Sequence, residues 1–334
     1  MSPSDGRGDE RYSRQEILQG LGAEGQQKLA QSAVAVVGLG ALGTVSAELL
    51  CRAGVGMLVL IDRDIVELSN LQRQTLYAEA DVGLPKAERA AARLAAINSR
   101  IAVEARCNDL SHDNISLLLD RTALILDCTD NLEARFLINE HCLDSRIPWI
   151  YGAALGWEGY AKVFLPGRAC FRCRFKEAAN LGSCDTAGVL NALTSVIGSI
   201  QAAEAIKLIA GIAHEGEPPL FHYSARAQSL RALSLEADAA CPACRGGERP
   251  YLSGQHASRA IRLCGSGVYQ VRNAPADLAI IERRLRPLGS VSAGAAALRF
   301  SGGDAEFTVF RDGRALIRAE SESRARAVAA RYLQ

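Results

Sequence analysis

The chain has 334 residues, 49% hydrophobic and 22% charged, a composition that suits a globular protein with one large domain or two unequal ones. Its 38 basic and 37 acidic residues leave a net charge of +1, so no global field favours nucleic acid as a partner. The opening MSPSDGRGDE lacks an apolar signal core, and the apolar stretch around 33–47 is broken by glycines and followed by Glu48 and Arg52. Neither a leader nor a membrane span is therefore expected, and the expected compartment is the cytoplasm.

Residues 11–31 carry an amphipathic helical pattern. AVAVVGLGALG (33–43) reads as a buried strand, a glycine turn and a helix start, and MLVLID (57–62) as a second buried strand. LPKAERAAARLAAIN (84–98) is a helix with Pro85 in its first turn. IAVEARC (101–107) is a strand, a helix follows around 113–119, and ALILDCTD (123–130) is another buried strand. NLEARFLINEHCLDS is helical and IPWIYGAA is a strand. This alternation predicts an α/β fold, a Rossmann-like, doubly wound and mostly parallel sheet with right-handed crossovers. Beyond 150 the pattern changes: a strand (EGYAKVFLP), an irregular segment over 176–190 expected to be a mobile loop, a long apolar helix over 194–211, and two further strands (FHYSA, SLRALSLE).

RGGERPYLSGQHAS (245–258) has the composition of a linker. The expected boundaries are 1–248 for the first domain, 249–258 for the linker and 259–334 for a small α+β domain. Within that domain strands are expected at 260–272, 296–300 and 306–318, helices at 276–287 and 320–332, and a hairpin turn at Asp312-Gly313.

Three stretches carry chemistry. The first is Gly38-Leu39-Gly40-Ala41-Leu42-Gly43 between a strand and a helix, where small residues let backbone N–H groups approach a phosphate at a helix N-terminus. Asp62 ends the next strand, about 20 residues past the glycines, where a ribose hydroxyl is expected. The second is ELSNLQRQ (67–74). Arg73, with Asn70 beside it and Lys86 beyond, supplies more positive charge than a nicotinamide cofactor requires. Asp130, ending a later strand in CTDN, suits magnesium. Together they point to ATP. The third is a double CxxC, Cys170/Cys173 with Cys241/Cys244. Four thiolates suit a structural tetrahedral zinc ion that clips two segments, with a redox dithiol pair as the alternative. Cys184 sits alone in the 176–190 loop, as a nucleophile or a surface thiol. Cys51, Cys107, Cys128, Cys142 and Cys264 read as packed core residues.

RYSRQ (11–15), VGLGALG (37–43), LIDRD (60–64), LSNLQRQ (68–74), VGLPKAE (82–88), DCTDN (127–131), the two CxxC pairs and IGSIQAAEAIKLIAG (197–211) occur in an order and spacing that resemble the ThiF/MoeB/HesA family, bacterial relatives of ubiquitin-activating enzymes, over about 11–247. The resemblance implies an adenylyltransferase that uses Mg-ATP to adenylate the C-terminal glycine of a small ubiquitin-like sulfur carrier ending in Gly-Gly, releasing pyrophosphate. A separate sulfur donor, a cysteine desulfurase or rhodanese-like protein, would then form the thiocarboxylate.

Carried over by motif, Gly38, Gly40, Ala41, Gly43, Asp62, Asp64, Ser69, Leu71, Gln72 and Asn131 surround the nucleotide. Asn70, Arg73 and Lys86 contact phosphates, and Asp130 holds magnesium. By the same resemblance Arg14 would reach into the site of the other subunit of a homodimer, and Cys184 aligns with a loop cysteine that in some members forms a covalent link to the carrier or carries persulfide sulfur. No general base is needed, because a C-terminal carboxylate is already ionised at neutral pH. The 259–334 segment has no rhodanese cysteine loop and is expected to be a docking module or a stabilising appendage. Competing readings are an NAD-dependent oxidoreductase, a zinc-stapled binding protein without catalysis, and a family member adenylating another carboxylate or carbonyl. The carrier's pathway is open among thiamine, molybdopterin, tRNA thiolation and thiolated siderophores.

Overall fold

Five short segments form parallel strands: β1 (Ala33–Val37), β2 (Met57–Ile61), β3 (Ala102–Arg106), β4 (Leu124–Asp127) and β5 (Trp149–Leu155). The antiparallel strands β6 (Glu158–Phe164), β7 (Leu220–Ser224) and β8 (Ser229–Leu233) extend this sheet, in the order β3-β2-β1-β4-β5-β6-β7-β8. The computed structural model describes residues 10–175, 188–212, 216–256, 261–262, 267–273, 275, 277–294 and 297–333. The segment over 176–190, with Cys184, lies largely outside these residues, and so does Cys264.

Strand side chains alternate between faces. Val34 and Val36 of β1 enter one core with Leu29, Leu50, Leu94 and Ile197, while Ala35 and Val37 enter a second with Ile115, Ile138, Trp149 and Phe171. The first face is covered by α2 (Gly22–Gln31), α3 (Ala41–Ala53), α4 (Lys86–Ile97) and α8 (Asn191–Ala210). The second is covered by α5 (Ile115–Leu118), α6 (Leu132–Ser145) and α7 (Phe171–Arg174). With both faces covered, the central strands β1 and β2 read as continuous apolar runs. Helix α8 has the length and composition of a membrane span, yet Leu193, Ile197, Ala202 and Ala205 are buried in the first core.

The 11–31 pattern is two helices, not one. Helix α1 (Ser13–Glu16) is separated from α2 by a turn in which Gly20 and Gly22 adopt φ of +92° and +62°. The segment with linker composition is held to the first unit. Tyr251 stacks on Phe136 with ring centroids 4.8 Å apart, and the backbone N–H groups of Tyr251 and Leu252 donate to the buried Glu140 carboxylate.

A second, wholly antiparallel sheet follows: β9 (Ile261–Arg262), β10 (Val268–Arg272), β11 (Ser290–Ala293), β12 (Ala297–Gly302), β13 (Ala305–Phe310) and β14 (Arg314–Arg318), in the order β11-β12-β13-β14-β10-β9. Strand β11 has no counterpart in the sequence reading. The Asp312-Gly313 turn joins β13 to β14, with Gly313 at φ +82°. Helices α9 (Leu278–Leu285) and α10 (Glu322–Leu333) cover one face, burying Leu285, Phe300, Phe307, Ile317 and Val328.

Phe171 is fully buried and touches the rings of Phe136, Trp149, Tyr151, Phe164 and Phe175. Phe171→Ala leaves a cavity in this cluster and is expected to cost about 3–5 kcal/mol of stability. Urea unfolding measures this, and a loss below about 1 kcal/mol would show that the cluster collapses around the gap.

Candidate active site and metal centre

The first sheet reverses its winding between β1 and β4, and ligands bind at the carboxyl ends of strands at such a switch point. The glycine turn after β1 and the CTDN segment after β4 meet there. At Gly38 (φ +87°) an added Cβ would lie 2.8 Å from the Cys128 carbonyl oxygen, and at Gly43 it would lie 1.9 Å from the Gly38 carbonyl oxygen. The first glycine permits the turn, and the second permits close packing of α3 on the turn. Gly40 and Ala41 line the cleft that results. It encloses about 580 Å3, within the few hundred to about 1,000 Å3 of small-molecule sites.

Asp62 joins this turn to the loop after β2. Its carboxylate accepts the Leu39 N–H at 2.6 Å and the Asp64 N–H at 2.7 Å. Burial raises its pKa above the ordinary carboxylate value, and the neighbouring Asp64 adds to the effect. Asp64 goes the other way: burial alone would raise it, but Lys86, Arg63 and Arg314 together hold it below the ordinary value. Lys86 is buried with its Nζ 3.4 Å from Asp64 Oδ2. Burial disfavours its charge, and Asp64, Asp62 and Asp130 outweigh that and raise its pKa.

Asp62, Asp64, Arg73, Asp130 and Asn131 line the cleft with Gly38, Gly40 and Ala41. Asp130 is exposed, and Arg73 is partly buried with Nη1 donating to the Ser69 carbonyl at 3.0 Å. Asn70 is buried, and its Oδ1 accepts the Glu67 N–H at 3.2 Å, so its side chain braces its own loop. Ser69 and Gln72 are exposed and Leu71 is partly buried in the same loop, with none of the three among the cleft-lining residues. Arg14 is exposed on α1, outside the cleft of its own chain.

Several residues of the site were given no role by the sequence, although Asp127 and Gln201 fall within stretches that carry the resemblance. Asp127, fully buried, lies 3.5 Å from the Arg135 guanidinium, which also donates to the Thr129 carbonyl and rests 5.1 Å from the Tyr151 ring centre. This pair braces the loop that presents Asp130. Gln201 is a buried amide in the apolar helix α8. It donates to the Asp127 carbonyl at 2.9 Å and the Ile150 carbonyl at 3.2 Å, tying α8 beneath the cleft. A lone glutamine in IGSIQAAEAI was the visible signal for that role.

Cys170 and Cys173 at the start of α7 meet Cys241 and Cys244, with all four sulfurs within 4.8 Å of one another. The Cys170–Cys241 and Cys173–Cys244 Sγ separations are both 3.6 Å. Zinc–sulfur bonds of about 2.3 Å place tetrahedral ligand sulfurs about 3.8 Å apart, so the cluster fits zinc. Burial and the neighbouring sulfurs push the Cys170 thiol up, and burial with hydrogen bonds from its neighbours pushes Cys244 up to about 12. Four thiolates in this space need a cation. Of the cysteines read as core, Cys51, Cys128 and Cys142 are buried, and Cys107 is partly so.

The ThiF family model matches residues 12–243. The chain is 39% identical over 319 residues to the sulfur carrier protein ThiS adenylyltransferase of Bacillus subtilis, covering 92% of this chain and 94% of that protein. It is 41% identical over 237 residues to the molybdopterin-synthase adenylyltransferase of Escherichia coli, covering 70% and 95% respectively. The crystal structure of E. coli MccB with ATP superposes with a TM-score of 0.61 at 23% identity, covering 71% of this chain and 75% of that one, a likeness of fold. The chain belongs to the ThiF family.

Two expectations follow from the site. Lys86→Met removes the largest of the three cationic influences that hold the Asp64 carboxyl down, leaving Arg63 and Arg314, so its pKa moves back up toward the unfolded value. Wild type gains stability from Asp64 above its unfolded pKa, and the variant gains less there, so the variant's deficit should be larger at about pH 7 than at about pH 4. Urea unfolding at the two pH values checks the sign. Elemental analysis should find one zinc per chain, and removing it with a chelator should lower the melting temperature by several degrees, about what the loss of 1–2 kcal/mol produces. An unchanged melt in metal-free protein would refute the structural role.

Proposed function

We propose that this chain is an ATP-dependent adenylyltransferase that activates the C-terminal glycine of a ubiquitin-like sulfur carrier for thiocarboxylate formation. The observation that carries the reading is the switch-point cleft. In a family-matched chain it combines a glycine turn, the ribose-type acid Asp62, the cation Arg73 and the carboxylate Asp130. Relatives named for this reaction are about 40% identical over most of the chain.

The chemistry follows from charge. The carrier's carboxylate oxygen bonds to the α-phosphorus as the bond from that phosphorus to the bridging oxygen breaks, and pyrophosphate leaves with the electron pair. Both partners are anionic, so the protein must align and neutralise them. We assign Asp62 to the ribose hydroxyls and the glycine turn with the start of α3 to the phosphates. Arg73 serves the tail of the nucleotide. Lys86 reaches the phosphates from beneath the cleft, where it now pairs with Asp64, and Asn70 shapes the loop that carries Arg73. Asp130 would hold a magnesium ion, which neutralises phosphate charge when bound.

Arg14 acts in the site of a second copy in a homodimer, and Cys184 is a candidate for a covalent link to the carrier. The four-cysteine centre holds zinc in a structural role. We place the enzyme in the cytoplasm with a separate sulfur donor. The adenylation domain spans 1–248, the connecting segment 249–258 and the α+β domain 259–334. The oxidoreductase reading leaves Arg73, Lys86 and Asp130 without a task.

ATP–pyrophosphate exchange tests the reaction, run with each candidate carrier that ends in Gly-Gly. Exchange should require one of the carriers and fall by at least about 100-fold in Asp130→Ala. Zinc-replete protein that binds ATP yet exchanges with none of the carriers would redirect the reading to a different carboxylate.

A further inference from the structure

The six-stranded sheet has two covered faces, and only one of them is covered by its own helices. Tyr269, Val271, Ala315 and Ile317 point to α9 and α10. The residues between them in register, Val268 and Gln270 on β10 with Arg314 and Leu316 on β14, share the opposite face. That face lies on the first unit. Val268, Ala297, Phe310 and Leu316 pack on Ile65 and Cys107, which follow β2 and β3.

Two polar side chains of this face reach one residue of the first unit, Arg63, one through an intervening acid and one at its backbone. Gln270, 6% exposed, donates from Nε2 to Asp109 Oδ2 at 2.8 Å, and the other oxygen of Asp109 accepts Arg63 Nη1 at 3.0 Å. Arg314, 2% exposed, donates to the carbonyl oxygens of Arg63 and of Cys107, the latter at 2.8 Å, while its guanidinium lies 3.9 Å from the Phe310 ring centre. One residue of the second sheet therefore holds the backbone of Arg63, and another holds the acid that orients its guanidinium. Arg63, Asn108, Asp109 and Leu110 line the same cleft as Asp62 and Asp64.

We propose that Gln270 and Arg314 are positioning residues for the nucleotide site, acting through Arg63, so that the six-stranded unit forms the outer support of the ribose and base end of the cleft. The proposal rests on the reading of that cleft as an ATP site. Arg63 directly follows the acid assigned to the ribose, and its planar cation is suited to lie against a purine face or a hydroxyl-bearing sugar. Without the amide of Gln270, Asp109 loses a buried hydrogen bond and Arg63 loses its fixed orientation.

The test is a double-mutant cycle on ATP binding to the full-length protein. Gln270→Met keeps the volume and removes the donor. It should raise the Kd for Mg-ATP by calorimetry, and the KM for ATP in pyrophosphate exchange, by about 5-fold to 20-fold, leaving kcat and the carrier's KM within about twofold. In an Arg63→Met background the same substitution should change ATP binding by less than about twofold, because the residue it acts through is gone. Gln270→Asn, which keeps the amide but withdraws it from Asp109, and Arg314→Lys, which keeps the charge but not the fork on two carbonyls, should repeat the pattern. Unchanged ATP binding in Gln270→Met, equal losses in both backgrounds, or a parallel fall in kcat and carrier affinity would each overturn the proposal. Wild-type protein that binds no ATP would instead overturn the nucleotide reading itself.

Discussion

At the carboxyl end of β2 the chain buries a cluster of charges that none of its members could sustain alone. Asp62 and Asp64 stand two residues apart, Lys86 lies beneath them, and Arg63 points outward to Asp109. A buried carboxylate without partners would be neutralised or would unfold the region. Here each is held by backbone N–H groups or by a cation. Asp62 receives the N–H of Leu39, which fixes the glycine turn to the strand beside it. The shape of the cleft thus depends on satisfying one buried acid, and the cations beside it are held in fixed positions by their own partners.

The remaining architecture supports that corner from three directions. Below it, Gln201 ties the apolar helix α8 to the ends of β4 and β5, and Gly152 leaves room for the amide: a Cβ there would lie 2.4 Å from it. Behind it, the Asp127–Arg135 pair and the Tyr151 ring brace the loop of Asp130. On the far side of β5, the four sulfurs join the segment after β6 to the one after β8. The Glu140 carboxylate then anchors the connecting chain as it leaves for the second sheet. A zinc ion there would substitute for core that two short crossing segments cannot supply.

The second sheet illustrates how a polar pattern can mislead. Antiparallel strands with one apolar face commonly turn the other to water. Gln270, Thr308 and Arg314 fit that expectation by sequence, yet all three are buried. The partners of Gln270 and Arg314 are an acid and backbone carbonyls of the first unit, and apolar side chains fill the gaps between them. Such a face is built to meet a particular surface, since burying a guanidinium is tolerable only where its donors find acceptors.

The sequence by itself determined a good deal. Short, mostly apolar strand patterns alternating with helical ones pointed to a doubly wound sheet, and Gly38, Gly40 and Gly43 between a strand and a helix pointed to a tight turn that brings the backbone to the sheet edge. The paired CxxC motifs suited a tetrahedral metal site wherever the fold could bring them together. These signals are local: strand period, glycine steric freedom and thiolate chemistry act within a few residues. Tertiary structure alone decided that Asn70 braces its own loop, that Lys86 sits beneath the cleft against Asp64, and that Arg135 and Gln201 support the site. It also decided that a sheet more than 200 residues downstream reaches Arg63 through Asp109, with Arg314 lying 251 positions from the carbonyl it holds. Such contacts depend on which surfaces meet after folding, and side-chain complementarity between distant segments leaves no period or spacing in the chain that carries it.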